Sequence, residues 1–398
     1  MILRLTPKTH ARLLSLLTLL KNRWRRIALL SLTLYFLYKL NNQKHPFTTH
    51  PHTISSFSLD YERDHLRDTS IPHRDLLPLQ DAELLCAAHN WHPWPKRGEG
   101  EKRRVYDLFM LNDELDWLEI RLHTLAPFVD YFVILESPVT FTGLEKKLVL
   151  RENWDRFKEW HGQIIYKEVE NMPVGAPRTW DLEDFQRNAL VVQGLRSEKG
   201  EERGARVGDV LIVSDVDEIP RPISVVLLRE CRTQKRVTIR TQFYYYAFQF
   251  RHKGVEWSHP QATVYVGANT ILPADLRNGE GRNLHLFGTW WEKADLWNGG
   301  WHCSTCFETL GEVLSKMRSF SHVGLNAEEF RDRTRIVDRV RKGLDLWDRP
   351  GEEYEQIYGN GDIPEYLKSD QKRWEFLLDR SKSNAGFKDY GPDEDIGD

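Results

Sequence analysis

The stretch GDVLIVSDVDEIPRP, residues 208–222, decides where the rest of the chain belongs. Val210, Leu211, Ile212 and Val213 follow one another with no polar alternation, as in a short strand covered on both faces of a parallel sheet. The run ends in Asp215, Val216, Asp217 and Glu218, and Pro220 and Pro222 then stop any strand and can open a helix. Ligands of open α/β sheets lie just beyond the carboxyl ends of the strands. Two carboxylates one residue apart at that place make an oxygen-rich site for Mn²⁺ or Mg²⁺, and such ions commonly hold substrate phosphates. A solvated acidic turn is the alternative. The buried strand leading into this turn argues for a site.

Upstream, residues 105–111 form a first apolar run, and 114–125 place Leu115, Leu118, Leu122 and Leu125 on one helical face. Residues 129–135 and 163–169 are two further strands, the first ending at Glu136. Residues 182–195 predict a helix with Asp181 as N-cap. Strand, helix, strand, helix, strand predicts a mainly parallel central sheet covered on both sides, within one α/β domain spanning 80–349. Downstream, 236–240, 243–250 and 262–266 predict an antiparallel or mixed portion. An aromatic segment over 290–301 and helices over 307–320 and 327–344 follow. Residues 350–398 read as a polar C-terminal extension whose last dozen residues fray.

The net charge of −3 hides an asymmetry: nine Lys or Arg and no acidic residue precede Asp60, and the remainder carries 47 basic against 59 acidic residues. An acidic body argues against nucleic acid as a partner. The apolar pieces 13–20 and 27–38, with the basic cluster between them, predict a cytoplasmic tail and membrane anchor over 1–40. Positive charge on the N-terminal side puts the body in the lumen. Residues 41–79, rich in His, Pro, Thr and Ser, read as a stem or linker. Four cysteines are too few for a disulfide scaffold. Cys303 and Cys306 are expected as a local disulfide or a buried free pair, and a zinc site with Cys86 and Cys231 is disfavoured. Fourteen tryptophans suit a protein that handles sugar rings or one with a large aromatic core.

Several blocks together are similar to glycosyltransferase family 17. They are YDLF at 106–109, NDELD at 112–116, LEIRL at 118–122, VDYFVILES at 129–137, TFTG at 140–143, SDVDEIP at 214–220, GWHCSTCF at 300–307 and SFSH at 319–322. The resemblance spans residues 86–349 in order. It implies a GT-A-like nucleotide-sugar-binding domain, UDP-N-acetylglucosamine as donor, a divalent metal, and inversion at the anomeric carbon. It also implies a glycan acceptor, with β1,4 linkage to an N-glycan mannose among the options, and a type II Golgi topology. The stretch between Gln261 and Trp297 departs from the family pattern, which leaves acceptor choice open.

Such a transfer builds negative charge on the leaving phosphate, which a carboxylate-held metal neutralises. Asp217 is expected on the metal and Asp215 on the ribose or the metal, with His302 as a further ligand and His322 behind it. Arg187, one helix before the turn, is either a forked donor to the phosphates or an ordinary surface arginine, and Glu136 ends a strand where nucleotides bind. For Glu136 the alternative is hydrogen bonding to loop amides. Inversion needs a base for the acceptor hydroxyl. Glu218 is nearest in sequence, with helix capping as its other role, and the base stays open. Trp290, Trp291, Trp297 and Trp301 are candidate stacking faces. A glycoside hydrolase and a carbohydrate-binding protein without turnover are the rival readings.

Overall fold

Unbroken apolar runs become strands buried on both faces. The computed structural model describes residues 30–33, 53–96, 100–173, 179–198, 200–278, 292–319 and 323–391. Val105–Leu111 (β1), Tyr131–Glu136 (β2), Ile164–Glu168 (β3) and Val210–Val213 (β4) form the parallel part of a ten-stranded sheet, in the order β4-β1-β2-β3. In β4, Val210 and Ile212 enter one core and Leu211 and Val213 the other. That two-sided burial is why the run carries no polar alternation, and each such side chain contributes roughly 1.5–3 kcal/mol when fully buried.

Leu115–Leu125 (α1) lies in the first core. Thr179–Ala189 (α2) runs on through a π turn, Leu190–Gly194, that packs on β2. A Cβ on Gly194 would come within 2.6 Å of Val133 Cγ1, so only glycine permits this approach. Helix α2 starts before Asp181, which stands in its first turn rather than at the cap.

Beyond β4 the sheet turns antiparallel. Glu218–Pro220 (β5) is followed by Pro222–Glu230 (α3), with Pro222 at its first turn. Arg236–Tyr245 (β6), Ala247–His252 (β7), Gln261–Val264 (β8), Lys293–Ser304 (β9) and Tyr354–Gln356 (β10) complete the sheet. The full order is β10-β7-β6-β8-β4-β1-β2-β3, with β9 parallel to β6 and antiparallel to β5. The expectation of a mainly parallel sheet therefore holds for β1–β4, while beyond them the described strands pair antiparallel except for β9 with β6, and the fold is mixed α/β. Leu310–Ser319 (α4) closes the site side of the sheet.

Both flanks differ from their compositional reading. The stretch expected as a linker carries a helix, Ser56–His65, bracketed by buried Ile54 and Leu66. Ser58 hydrogen-bonds His89, and Glu62 accepts the Ile223 N–H at the start of α3. The expected polar extension supplies Trp374, Phe376 and Leu377 to the same core as Val210. It also supplies buried Arg380, whose guanidinium donates to the carbonyls of Tyr246, Phe307 and Ala385. A few apolar anchors among many polar residues suffice where a large core already offers a surface.

The chain separates into two units, 1–51 and 52–398. The expected anchor lies outside the described residues except for 30–33, which are helical. Among the described residues no helix is long and apolar enough to cross a membrane. All four cysteines are paired, Cys86 with Cys231 and Cys303 with Cys306, so no four-thiolate zinc site exists.

Candidate active site

Strand register, not sequence proximity, assembles the site. β5 pairs with β9 so that His302 faces Glu218 and Trp301 faces Ile219. This approach needs Gly300, where a Cβ would run into the Ile219 carbonyl and come within 2.9 Å of Pro220 Cα. The acidic turn is further pinned by Arg121 of α1, which is fully buried. Its Nε and Nη2 fork onto Asp107 at 2.7 and 2.6 Å, and Nη1 donates to the carbonyls of Asp215 and Glu218 at 2.9 and 2.8 Å. An arginine inside an apolar helical face was the available signal for this role. A charge so buried must find a fixed counter-charge.

A cavity of about 710 Å³ opens over this turn, bounded by the carboxyl end of β1, α2, α4, and Phe243, Trp257 and Trp347. That is a usual volume for a small-molecule site. Asp215, Asp217, Glu218, Arg187 and His302 all line it.

The two aspartates have different surroundings. Asp215 Oδ1 accepts from Arg187 Nη1 at 2.9 Å, and Oδ2 accepts from Arg277 Nη2 at 2.5 Å. Arg187 is itself held by Glu183 at 2.6 Å. Glu218 is buried, with Oε1 accepting from Trp257 Nε1 (2.6 Å) and Arg277 Nη2 (2.9 Å). Its Oε2 accepts from Arg277 Nη1 and the Asp215 N–H, both at 2.7 Å. Burial alone would raise both carboxyls, but Arg187 and Arg277 outweigh it at Asp215, and Arg277 does so at Glu218. Both therefore stay below the usual carboxylate range. Glu218 is thus a clamp on Arg277, an arrangement that argues against the candidate role as base. A carboxylate with its lone pairs engaged and its affinity for protons lowered is a poor proton acceptor.

Asp217 has no arginine partner among the described residues. Its Oδ2 accepts from Lys316 Nζ at 3.2 Å and faces His302 Nε2 at 3.8 Å. The His302 ring lies on Phe243 (4.9 Å between centroids, 14° between planes), and its buried Nδ1 has no hydrogen-bond partner among the described residues. Burial pushes this imidazole below its ordinary value, against the pull of Asp217, which keeps it neutral as a metal ligand must be. Among the described residues no three His, Cys, Asp or Glu side chains converge on one point. The expected set of Asp215, Asp217 and His302 is therefore not assembled as a triad. Asp217 and His302 remain, and two protein donors fit a divalent cation that completes its shell from diphosphate oxygens and water.

Glu114, at the start of α1, also lines the cavity. Its Oε2 accepts the N–H groups of Asn112 and Asp113, leaving Oε1 without a hydrogen bond among the described residues. Burial, then the charges of Asp113 and Asp217, push its carboxyl up to about 7 despite Lys316.

Other expected residues stand elsewhere. Glu136 accepts the N–H groups of Leu150 and Arg151 and the Tyr166 hydroxyl, so it holds the short helix Val149–Glu152 by its amides. Trp301 is buried, with Nε1 on Asp362, and Trp297 lies under Arg240. Trp290, Trp291 and His322 lie outside the described residues. Sequence reading missed Arg277 and Trp257, which belong to no periodic or motif-like pattern, and it passed over Lys316 and Glu114, which lie in the expected helices over 307–320 and 114–125 with no mark of a role.

Comparisons with known proteins bear on this arrangement. The chain is similar to beta-1,4-mannosyl-glycoprotein 4-beta-N-acetylglucosaminyltransferase from Homo sapiens, with 28% identity over 335 residues, 73% of this chain and 59% of that protein. The Rattus norvegicus protein of the same name shows 27% identity over 73% of this chain and 58% of its own length. The match thus takes in less than two thirds of these relatives. Among solved structures, the mannosyltransferase PcManGT from Pyrobaculum calidifontis, in complex with GDP-Man and Mn²⁺, aligns with a TM-score of 0.31 and 12% identity. The alignment covers 67% of this chain and 72% of that one. The family model Glycosyltransferase family 17 matches residues 25–381, a span that includes β1, the acidic turn, β9 and α4, and the chain belongs to that family.

Proposed function

We propose that this chain is a metal-dependent, inverting transferase. It moves N-acetylglucosamine from UDP-N-acetylglucosamine to a glycan acceptor in β linkage, with β1,4 attachment to an N-glycan mannose following the name of its relatives. The observation that carries the reading is Asp217, a carboxylate without an arginine among the described residues, facing a cavity beyond the carboxyl ends of β1 and β4, where His302 Nε2 stands 3.8 Å away. We assign the donor diphosphate to this point, beyond the carboxyl ends of the strands, where ligands of α/β sheets lie. Two disulfides suit a body in the oxidising lumen of the Golgi, held by an N-terminal anchor.

In the reaction, the acceptor hydroxyl oxygen bonds to the anomeric carbon while the bond from that carbon to the phosphate oxygen breaks. The electron pair leaves with UDP. Bound Mn²⁺ or Mg²⁺ would supply Lewis-acid neutralisation of the leaving diphosphate, held by Asp217 and His302. Arg187 and Arg277 keep Asp215 and the turn in place, so that Asp217 is presented without rearrangement. Glu114 is the carboxylate we assign to take the acceptor proton, because its Oε1 is unengaged in the cavity wall.

The test is UDP release by the full chain supplied with UDP-N-acetylglucosamine and a mixture of N-glycans, with Mn²⁺ or with a chelator. Manganese-dependent release that Asp217→Asn lowers by 10²-fold or more supports the reading. Nucleotide-independent glycan cleavage would point to a hydrolase. Glycan binding without release from any UDP-sugar would point to a binding protein.

A further inference from the structure

We propose that Lys316 is a resident counter-ion that holds Asp217 until the nucleotide arrives, then turns to the diphosphate, so that divalent cation and nucleotide are taken up together. The inference rests on the transferase reading above.

Three observations carry it. First, the Lys316 ammonium stands 3.2 Å from Asp217 Oδ2, the same oxygen that His302 Nε2 faces at 3.8 Å. An ammonium and a divalent ion would compete for that oxygen and repel one another strongly in a site whose Asp217 side chain is only 8% exposed. Second, the cations around the turn are held unequally. Arg187 and Arg277 each bind two carboxylates and are 4% and 7% exposed, whereas the Lys316 ammonium hydrogen-bonds Asp217 alone among the described residues and is 22% exposed. Third, Lys316 projects from α4, whose Leu310, Val313 and Met317 are buried, so its backbone is fixed while its ammonium, at the end of a flexible stem, lies 5.4 Å from the centre of the Phe307 ring. A point charge on a four-carbon stem can change partners where a clamped guanidinium cannot.

An arriving diphosphate brings enough negative charge to draw the ammonium off Asp217, which frees that oxygen for the cation. The two ligands are then linked, and each strengthens the other by the same factor.

The experiment titrates Mn²⁺ into the full chain by electron paramagnetic resonance, with and without UDP, and measures UDP binding by equilibrium dialysis. Lys316→Met keeps the stem and removes the charge, and Lys316→Arg keeps the charge. In the parent chain UDP is expected to tighten Mn²⁺ at least tenfold. Lys316→Met is expected to bind Mn²⁺ alone at least tenfold tighter than the parent, with the UDP effect reduced and UDP affinity in Mn²⁺ lowered. Lys316→Arg is expected to resemble the parent. A purely structural lysine would give unchanged or weaker Mn²⁺ binding in Lys316→Met, and that result overturns the inference while the transferase reading stands. Should Lys316→Met fail to fold, Lys316→Gln takes its place. Failure of the parent chain to bind UDP at all would overturn both.

Discussion

Replacing Arg277 by methionine tests whether the acidic turn is held by charge. Its guanidinium sits between Asp215 and Glu218 with three hydrogen bonds of 2.5–2.9 Å, and its side chain is 7% exposed. Methionine keeps much of the volume but leaves Glu218 with only Trp257 and a backbone N–H, and Asp215 with only Arg187. Breaking a buried pair costs about 3–5 kcal/mol, because the abandoned charge stays desolvated. For a unit of this size the unfolding entropy is roughly 0.7 kcal/mol/K, so Tm should fall by about 4–7 °C. The pH dependence identifies the cause. In the parent, the folded values of Asp215 and Glu218 lie below their unfolded ones. Their contribution is therefore present above the unfolded values, near 4, and is lost as pH falls through the folded ones. Without Arg277, burial should carry Glu218 above its unfolded value, so the variant loses stability as pH rises. The gap between parent and variant should then be widest near pH 8 and narrow towards pH 5. Thermal melts across that range would measure it, and Glu218→Gln added to Arg277→Met should recover about 1–2 kcal/mol. A gap below about 1 kcal/mol, or one independent of pH, would refute the charge argument.

Glu114→Gln should lower turnover by about 10²–10⁴-fold if this carboxylate takes the acceptor proton. The parent kcat/KM should climb with pH towards the value of about 7 at which Glu114 ionises, and a pH profile in which the variant keeps that limb excludes the role. Cys86→Ser with Cys231→Ser opens a bridge spanning 145 residues between the helix Leu79–Ala87 and the end of α3. It should cost about 2–5 kcal/mol. Denaturant unfolding of the oxidised parent against the double variant reads this directly, and coincident curves would count against it.

How much of this was legible depends on how local each cause is. β1 and β4 can be read from the chain because burial on both faces forces apolar residues in succession. The acidic turn is legible for the same reason, since it ends a recognisable strand. The meeting of Asp217 with His302 is not, because it depends on the register of β9 against β5, separated by some eighty residues. Arg277 ends a five-residue helix with no pattern of its own, and only the fold brings its guanidinium to Glu218. The helix Ser56–His65 escaped notice because composition averages away its anchors: one buried serine hydrogen bond and one glutamate at the start of α3. Glu136 misled for the opposite reason. Its position at a strand end suits a ligand, but the amides of Leu150 and Arg151 were nearer.

The turn divides its labour between two carboxylates two residues apart. A transferase must hold its donor in a fixed frame and also answer charge that appears only as the bond breaks. One carboxylate cannot do both well. Asp215, with both oxygens on guanidinium groups, is neutralised before any ligand arrives, so it fixes geometry and contributes little further as charge develops. Among the described residues Asp217 is answered by a lysine at 3.2 Å and faces the His302 imidazole at 3.8 Å, and the lysine can change partners. The forked, permanently charged arginine suits the first task and the mobile ammonium the second. The residue types around the turn therefore match a site in which Asp215 is scaffold and Asp217 is the point where ligand charge is exchanged.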